Sequence, residues 1–289
     1  MLDDLAQLID EVLQNVQQQR RAADDASLTL LIRGYRATGR PAIGEALGEA
    51  LGAALAQPLA PLSIVERAAR LAMFVEALPV ASDERIGGAV QDLLASLSRE
   101  WGASIDVEAS AASVDACLAA ALALGSGAIV RTAVDELERS VGSAYRPGRG
   151  LLDPRHDAGP GRLADHVRCA AALLTARGAT GRVPYGMLAE ELMQFARRTL
   201  WDAAASAFEA RPGSRVHPFA LNGAAARVCC RLAALHGDRL YRETAIVADG
   251  ADHRAAAAAI LDGLSARLSG YGAERAEYAL ALGEWLDGS

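Results

Sequence analysis

Apolar residues recur at helical spacing along the whole 289-residue chain, and no segment makes a convincing strand. Leu2, Leu5, Ile9, Val12, Leu13 and Val16 form one stripe. Ile86, Val90, Leu93, Leu94, Leu97 and Trp101 form a second, and Ile129, Val130, Ala133, Val134, Leu137 and Val141 a third. Leu221, Ala225, Val228, Cys229, Leu232 and Leu235 form a fourth. Each stripe keeps its apolar groups on one face of a 3.6-residue helix. Composition points the same way. The chain holds 64 Ala and 39 Leu, the best helix formers, and only 4% aromatic residues. The expected class is all-α.

Punctuation divides the stripes into pairs. Ser63-x-x-Glu66 is a capping-box pattern, and a second helix start is expected at Ser82-Asp83. Gly39, Gly125, Gly178 and Gly237 stand where helix C-terminal glycines are expected. The pattern predicts an N-terminal helix over about 2–22. Six hairpins follow, at about 27–38/41–56, 61–78/83–101, 110–124/127–144, 161–177/185–209, 218–236/238–249 and 253–268/272–287. Leu31 to Arg40 and Cys230 to Asp238 form a weak internal repeat, each with a glutamate (Glu45, Glu243) six residues past its glycine. No shift in composition cuts the chain, so one domain is expected over 1–289, with a leading helix in 1–25 and repeats over 26–289. Six hairpins can stack as an open superhelix or close into an (α/α)6 toroid. Toroid inner helices bury both faces, which suits the apolar runs Ala116 to Val130 and Cys169 to Leu174.

Several function classes drop out. There is no lysine, hence no Walker-type phosphate loop and no Schiff-base chemistry. The net charge of −7 argues against nucleic acid, whose binders carry a basic face. No G-x-S-x-G elbow and no dinucleotide fingerprint occurs. Cys117, Cys169, Cys229 and Cys230 lie in apolar helical stretches and are expected to pack as small hydrophobes. His166-x-x-Cys169 beside Asp165 lacks a second half-site, so no metal is expected, and no cofactor. The uncharged runs are short or broken by Pro58 and Pro61, and no signal peptide is evident. A soluble cytoplasmic protein without a membrane partner is the expectation.

The stretch Val216-His217-Pro218-Phe219-Ala220-Leu221-Asn222-Gly223-Ala224-Ala225-Ala226-Arg227 continues through Arg231-Leu232-Ala233-Ala234-Leu235-His236-Gly237-Asp238 to Tyr241-Arg242. It resembles the toroid portion of the long thioredoxin-like proteins of the YyaL and spermatogenesis-associated type. His236 stands where that run has threonine. Tyr145-x-Pro147-Gly148-x-Gly150-Leu151-Leu152-Asp153 resembles the family's aromatic/glycine loop, and Tyr278 to Leu282 with Trp285-Leu286 resembles its ending. The resemblance is specific over about 215–247. It implies an (α/α)6 toroid similar to six-hairpin glycosidases and N-acylglucosamine 2-epimerases. The chain departs from the family in having neither a thioredoxin-like domain nor C-x-x-C, so thiol chemistry does not carry over.

The longest irregular stretch, Arg146 to Arg162, holds Asp153, Arg155, His156 and Asp157 among glycines and prolines. Carboxylates beside a histidine can do acid–base work, so Asp153, His156 and Asp157 are the candidate catalytic residues. A solvated loop is the plainer alternative. Tyr145, Arg155, His217 and Asn222 are candidate ligand contacts, although Asn222 could equally N-cap its helix and His217 be a loop residue. Asp115, Asp135, Glu136, Asp165 and Asp202 are helix carboxylates open to either reading. Trp101, Trp201 and Trp285 are expected to pack. The scarcity of aromatics weighs against sugar stacking. The leading expectation is a non-catalytic or degenerate toroid binding a small polar ligand or a protein partner. A carbohydrate-active isomerase, epimerase or hydrolase is the alternative, and an open helical-repeat scaffold a second one.

Overall fold

The computed structural model describes residues 2–18, 23–103, 106–153, 159–246, 251–272 and 274–288. Thirteen α-helices account for most of them: α1 (Leu2–Gln18), α2 (Asp25–Thr38), α3 (Pro41–Ala56), α4 (Ile64–Ala77), α5 (Arg85–Ser98), α6 (Val107–Ala123), α7 (Gly127–Ala144), α8 (Leu163–Thr180), α9 (Val183–Leu200), α10 (Phe219–Gly237), α11 (Arg239–Thr244), α12 (His253–Ser265) and α13 (Arg275–Asp287). Their ends follow the expected chemistry. Ser63 and Glu66 exchange side-chain and backbone hydrogen bonds as a capping box. Gly39 closes α2 in the left-handed region at φ 63°. The glycine expected to stop α8 is Gly178, but the helix runs on to Gly181, which takes φ 73°.

Two layers emerge from the packing. α2, α4, α6, α8, α10 and α13 form an inner ring in which each contacts the next, and α13 returns to α2. Inner helices are buried on three sides, and α6 alone buries Val107, Ala111, Val114, Cys117, Leu118 and Ala121. Small alanines let such helices approach closely while still removing apolar surface from water, which contributes about 25 cal/mol per Å². Two ion pairs seal the closure: Arg33 Nη1 to Glu284 Oε1 at 2.8 Å and Arg275 Nη1 to Glu11 Oε2 at 3.0 Å. The closed ring is an (α/α)6 toroid and removes the open-scaffold alternative.

Two expectations need correcting. The expected N-terminal helix is present, and α1 packs on α13, α2 and α3 as an outer member of the ring. The hairpins therefore run outer-to-inner from α1/α2, one helix out of phase with the expected pairing. Strands also exist. β1 (Tyr145–Arg146), β2 (Gly150–Asp153) and β3 (Gly159–Pro160) make a small antiparallel sheet, and β4 (Trp201–Asp202) pairs with β5 (Ala207–Phe208). The helix expected to reach residue 209 stops at Leu200, where Trp201 turns to extended backbone. Asp202 Oδ1 then accepts the Ala204 and Ala205 N–H groups, which folds the chain back. No described helix is long and apolar enough to cross a membrane.

Candidate functional site

All inner helices run in one direction, so their N-termini share one mouth. The sheet β1–β2–β3 enters α8 there, and the β4–β5 hairpin enters α10. Leu163 N–H donates to Ala210 O at 3.0 Å and joins the two loops. His166 anchors the first. It is fully buried and stacked on Phe195, with Nε2 accepting from Leu151 N–H at 3.2 Å and Nδ1 facing Arg162 O at 3.0 Å. That pairing requires the neutral Nδ1–H tautomer. Gly150 lies so close that a Cβ there would meet Phe195 and His166 within 3 Å, and its φ of +66° also favours glycine. Asn222 anchors the second loop by pairing its amide with both Phe208 N–H and Phe208 O.

Burial lowers the pKa of His166, against the raising pull of Arg162 O and Asp165. A depressed histidine contributes stability that is complete above its unfolded value, about 6.5, and fades as pH falls toward the folded one. Wild-type protein is therefore expected to melt at a lower temperature at pH 5.5 than at pH 7.5. His166→Ala should cost about 2–4 kcal/mol at neutral pH through its cavity and the orphaned Leu151 N–H. It should also lose most of that pH sensitivity, which thermal melts at both pH values would show.

The candidate residues fall out unevenly. Arg155, His156 and Asp157 lie outside the described residues, and of Asp153 only the backbone is described, opposite Gly159. Tyr145 ends α7 half-buried, its phenol pushed up to about 12 by burial and by Glu191 of α9. His217 Nε2 meets Asp202 Oδ2 at 3.0 Å at the mouth. Asn222 is not the N-cap of α10. Pro218 holds that place, and Asn222 sits a turn inside with no surface open to a ligand. Glu209 completes a cluster with Asp202 and His217, but its oxygens take the Gly213 and Arg215 N–H groups and so build the turn. Glu136 and Asp165 are buried in structural bonds, to Ser110 and Arg139 and to Arg162 respectively, and Asp135 is exposed on outer α7.

The face of the inner ring that stays open looks onto the toroid axis. Its small members include Thr29, Ala69, Ala72, Ala119, Ala171, Thr175 and Ala224, none of them fully buried, and charged residues stand among them. The charges divide into two halves. On one side Arg33 (α2) binds Glu76 (α4) at 2.6 Å, and Glu284 (α13) binds both Arg33 and Arg227 (α10) at 2.8 Å. This half neutralises itself. The other half is less tightly paired. Among the described residues Arg231 (α10) donates only to neutral oxygens, Ala171 O and Thr175 Oγ1, while Thr175 donates to Asp115 Oδ1 (α6) at 2.5 Å. The buried Nε of Arg168 (α8) has no hydrogen-bond partner among the described residues. Glu108 stands two turns from Asp115 on the same open face of α6, 3.3 Å from Arg162 Nη2. Burial holds its carboxyl above the ordinary range, against the pull of Arg162 and Arg168.

Of this half only Asp115 was singled out in the sequence. Glu108, Arg168, Thr175 and Arg231 were legible as polar positions seven (Glu108 to Asp115, Arg168 to Thr175) or four (Arg227 to Arg231) apart, interrupting apolar helices on one face.

No family model matches the chain, and no curated protein matches it. Solved structures do. The GH76A α-1,6-mannanase from Salegentibacter sp. HEL1_6 superposes with a TM-score of 0.66 at 14% identity, covering 98% of this chain and 98% of that one. The two share the closed ring of helical hairpins. The unsaturated glucuronyl hydrolase from Bacillus sp. GL1 gives a TM-score of 0.66 at 12% identity over 90% of this chain and 84% of that one. A D-mannose isomerase gives 0.59 at 12% over 78% and 73%. At such identities the likeness is one of toroid fold, and the chemistry rests on this chain's own axial groups.

Proposed function

We propose that the toroid is a carbohydrate-active enzyme that takes a small, acidic saccharide into the axial chamber from the loop-lined mouth. The observation that carries this is the less tightly paired half of the axial face: Glu108 and Asp115 on α6 with the guanidinium groups of Arg168 and Arg231, of which Arg231 donates to no carboxylate among the described residues. Arginine forks suit a sugar carboxylate. Glu108, with its raised pKa, is the general acid, and Asp115 is the carboxylate that directs water or abstracts a proton. Seven residues along a helix separate the two Cα atoms by about 10.5 Å. That favours the wide carboxyl pair, about 6.5–9.5 Å, with water between the groups. The similar structures support the class, since a mannanase, a glucuronyl hydrolase and a mannose isomerase all act on sugars.

A second reading is a toroid that binds such a ligand without turnover. It is favoured by Glu76 and Glu284 being spent in ion pairs and by the absence of a stacking aromatic on the described axial face. One experiment separates the two. The purified chain is incubated with unsaturated uronides, mannosides and free aldoses, with product release and isothermal titration followed in parallel. Turnover above the uncatalysed rate supports the enzyme. Binding of a uronide without product supports the second reading, and neither signal would sink both.

A further inference from the structure

A cluster of a different kind lies behind the inner ring. Glu190 of α9, His236 at the end of α10 and His253 at the start of α12 bring one carboxylate and two imidazoles together from three helices. The side chains of Glu190 and His253 are only 4% and 7% exposed. Glu190 Oε2 lies 3.1 Å from His236 Nε2, and Oε1 lies 3.4 Å from His253 Nε2. The two rings stand edge to face at 4.7 Å, and the three ligand atoms all lie within 4.8 Å of one another.

Protein–protein hydrogen bonds leave this cluster incomplete. The Nε2 of His253 is buried and makes no well-aligned hydrogen bond, although it approaches Glu190 Oε1 to 3.4 Å. The hydroxyl of the fully buried Tyr241 is also unpartnered, and it sits against Gly186, one turn of α9 before Glu190. A buried polar group without a partner is unfavourable, and two at one place point to a missing ligand. Gln194 Nε2 donates to Glu190 Oε1 at 3.1 Å and holds the carboxylate's orientation, as outer-shell groups do at metal centres.

We propose that Glu190, His236 and His253 bind a divalent transition ion of the zinc class, which clasps α9 and α12 to α10. Two neutral imidazoles and a carboxylate are a ligand set of borderline hardness, suited to zinc rather than to calcium or magnesium. Ligands at about 2.0–2.2 Å around a tetrahedral ion stand about 3.3 Å apart. The observed 3.1 and 3.4 Å, measured to the two different oxygens of Glu190, are near that spacing, and the three ligand atoms, within 4.8 Å of one another, would close further on binding. The fourth position opens toward a pocket of about 390 Å³ that His236 and His253 line with Cys230, Ala233 and Trp285. None of the three ligands is among the groups of the proposed activity, although the pocket also takes in Glu284 of the axial Arg33–Arg227 cluster.

The test uses the full, tag-free chain, stripped with a chelator and titrated with Co²⁺ and then Zn²⁺. Expected is one ion per chain, visible d–d absorption of tetrahedral intensity with Co²⁺, displacement by Zn²⁺, and a raised melting temperature with excess Zn²⁺. His236→Gln, at the most exposed of the three ligands, should weaken binding at least 10-fold. His217→Gln, in the separate surface cluster with Asp202, should bind as wild type. Circular dichroism confirms that both variants fold. Absence of tetrahedral Co²⁺ bands in wild type, or loss of binding in His217→Gln rather than His236→Gln, overturns the proposal.

Discussion

Glu108→Gln is expected to lower turnover of an alkyl-linked saccharide substrate about 10²- to 10⁴-fold, the range for loss of a positioned general acid. Its carboxyl is half-buried on the axial face, and desolvation raises its pKa against the pull of Arg162 and Arg168. Glutamine keeps the shape and a hydrogen-bonding group but cannot give up a proton. The loss should fall on kcat with KM little changed, because the group acts in bond breaking rather than in capture. A substrate with a good leaving group, such as an aryl glycoside, needs less protonation and should suffer less. In wild type, activity should fall on the alkaline side as Glu108 deprotonates, and that limb should vanish in the variant. Equal kcat for the two proteins on an alkyl-linked substrate, with both folded, would show that Glu108 carries no proton in the reaction.

Much of the fold was legible because helix stripes, caps and glycines are local. Ser63 with Glu66 and the left-handed Gly39 act within a few residues of themselves, and both appear as expected. The phase of the ring was not local. α1 carries the same kind of stripe whether it leads or closes, and only its packing on α13 decides that it is an outer helix. The short strands were hidden for a related reason. β1 and β2 are held by Leu151 N–H on His166, and β5 by the Asn222 amide, across 15 and 14 residues of sequence. Neither segment alternates in hydrophobicity.

The site followed the same division. Asp115 could be seen as a helix carboxylate, but its pairing with Thr175 spans 60 residues, and its relation to Glu108 matters only once the open face of α6 looks onto an axis. His236 and His253 likewise meet Glu190 across 46 and 63 residues, far outside the spacing of a local metal motif. The scarcity of aromatics keeps its meaning in the structure. The axial positions named above offer charge and hydrogen bonding rather than a stacking surface, which is why the proposed ligand is an acidic saccharide.

Glu284→Ala is expected to be the most damaging single change to the ring itself. Glu284 Oε1 accepts Arg33 Nη1 and Arg227 Nε, each at 2.8 Å, and so links α2, α13 and α10 at the point where the chain's two ends meet. Burial opposes its charge, yet Arg227 and Arg33 together hold its pKa below the ordinary value. Removing it leaves two guanidinium groups facing each other. Arg33 keeps Glu76, but Arg227 keeps only Glu277 at 3.9 Å. Breaking a buried pair costs about 3–5 kcal/mol, and the one-fifth exposure of this side chain places the effect at the lower end. For a chain of this length that is a melting temperature lower by roughly 6 °C or more. Glu284→Gln, which keeps an acceptor, should lose less. A group with a depressed pKa stabilises above its unfolded value, about 4.3, and loses that contribution as pH falls through the folded one. The gap between wild type and variant should therefore be full at pH 7 and close under acid. Combining the change with Arg33→Ala should cost less than the sum of the two, because both remove the same bond. Additive losses, or a variant that melts with wild type at pH 7, would mean that α13 closes on α2 through apolar packing alone.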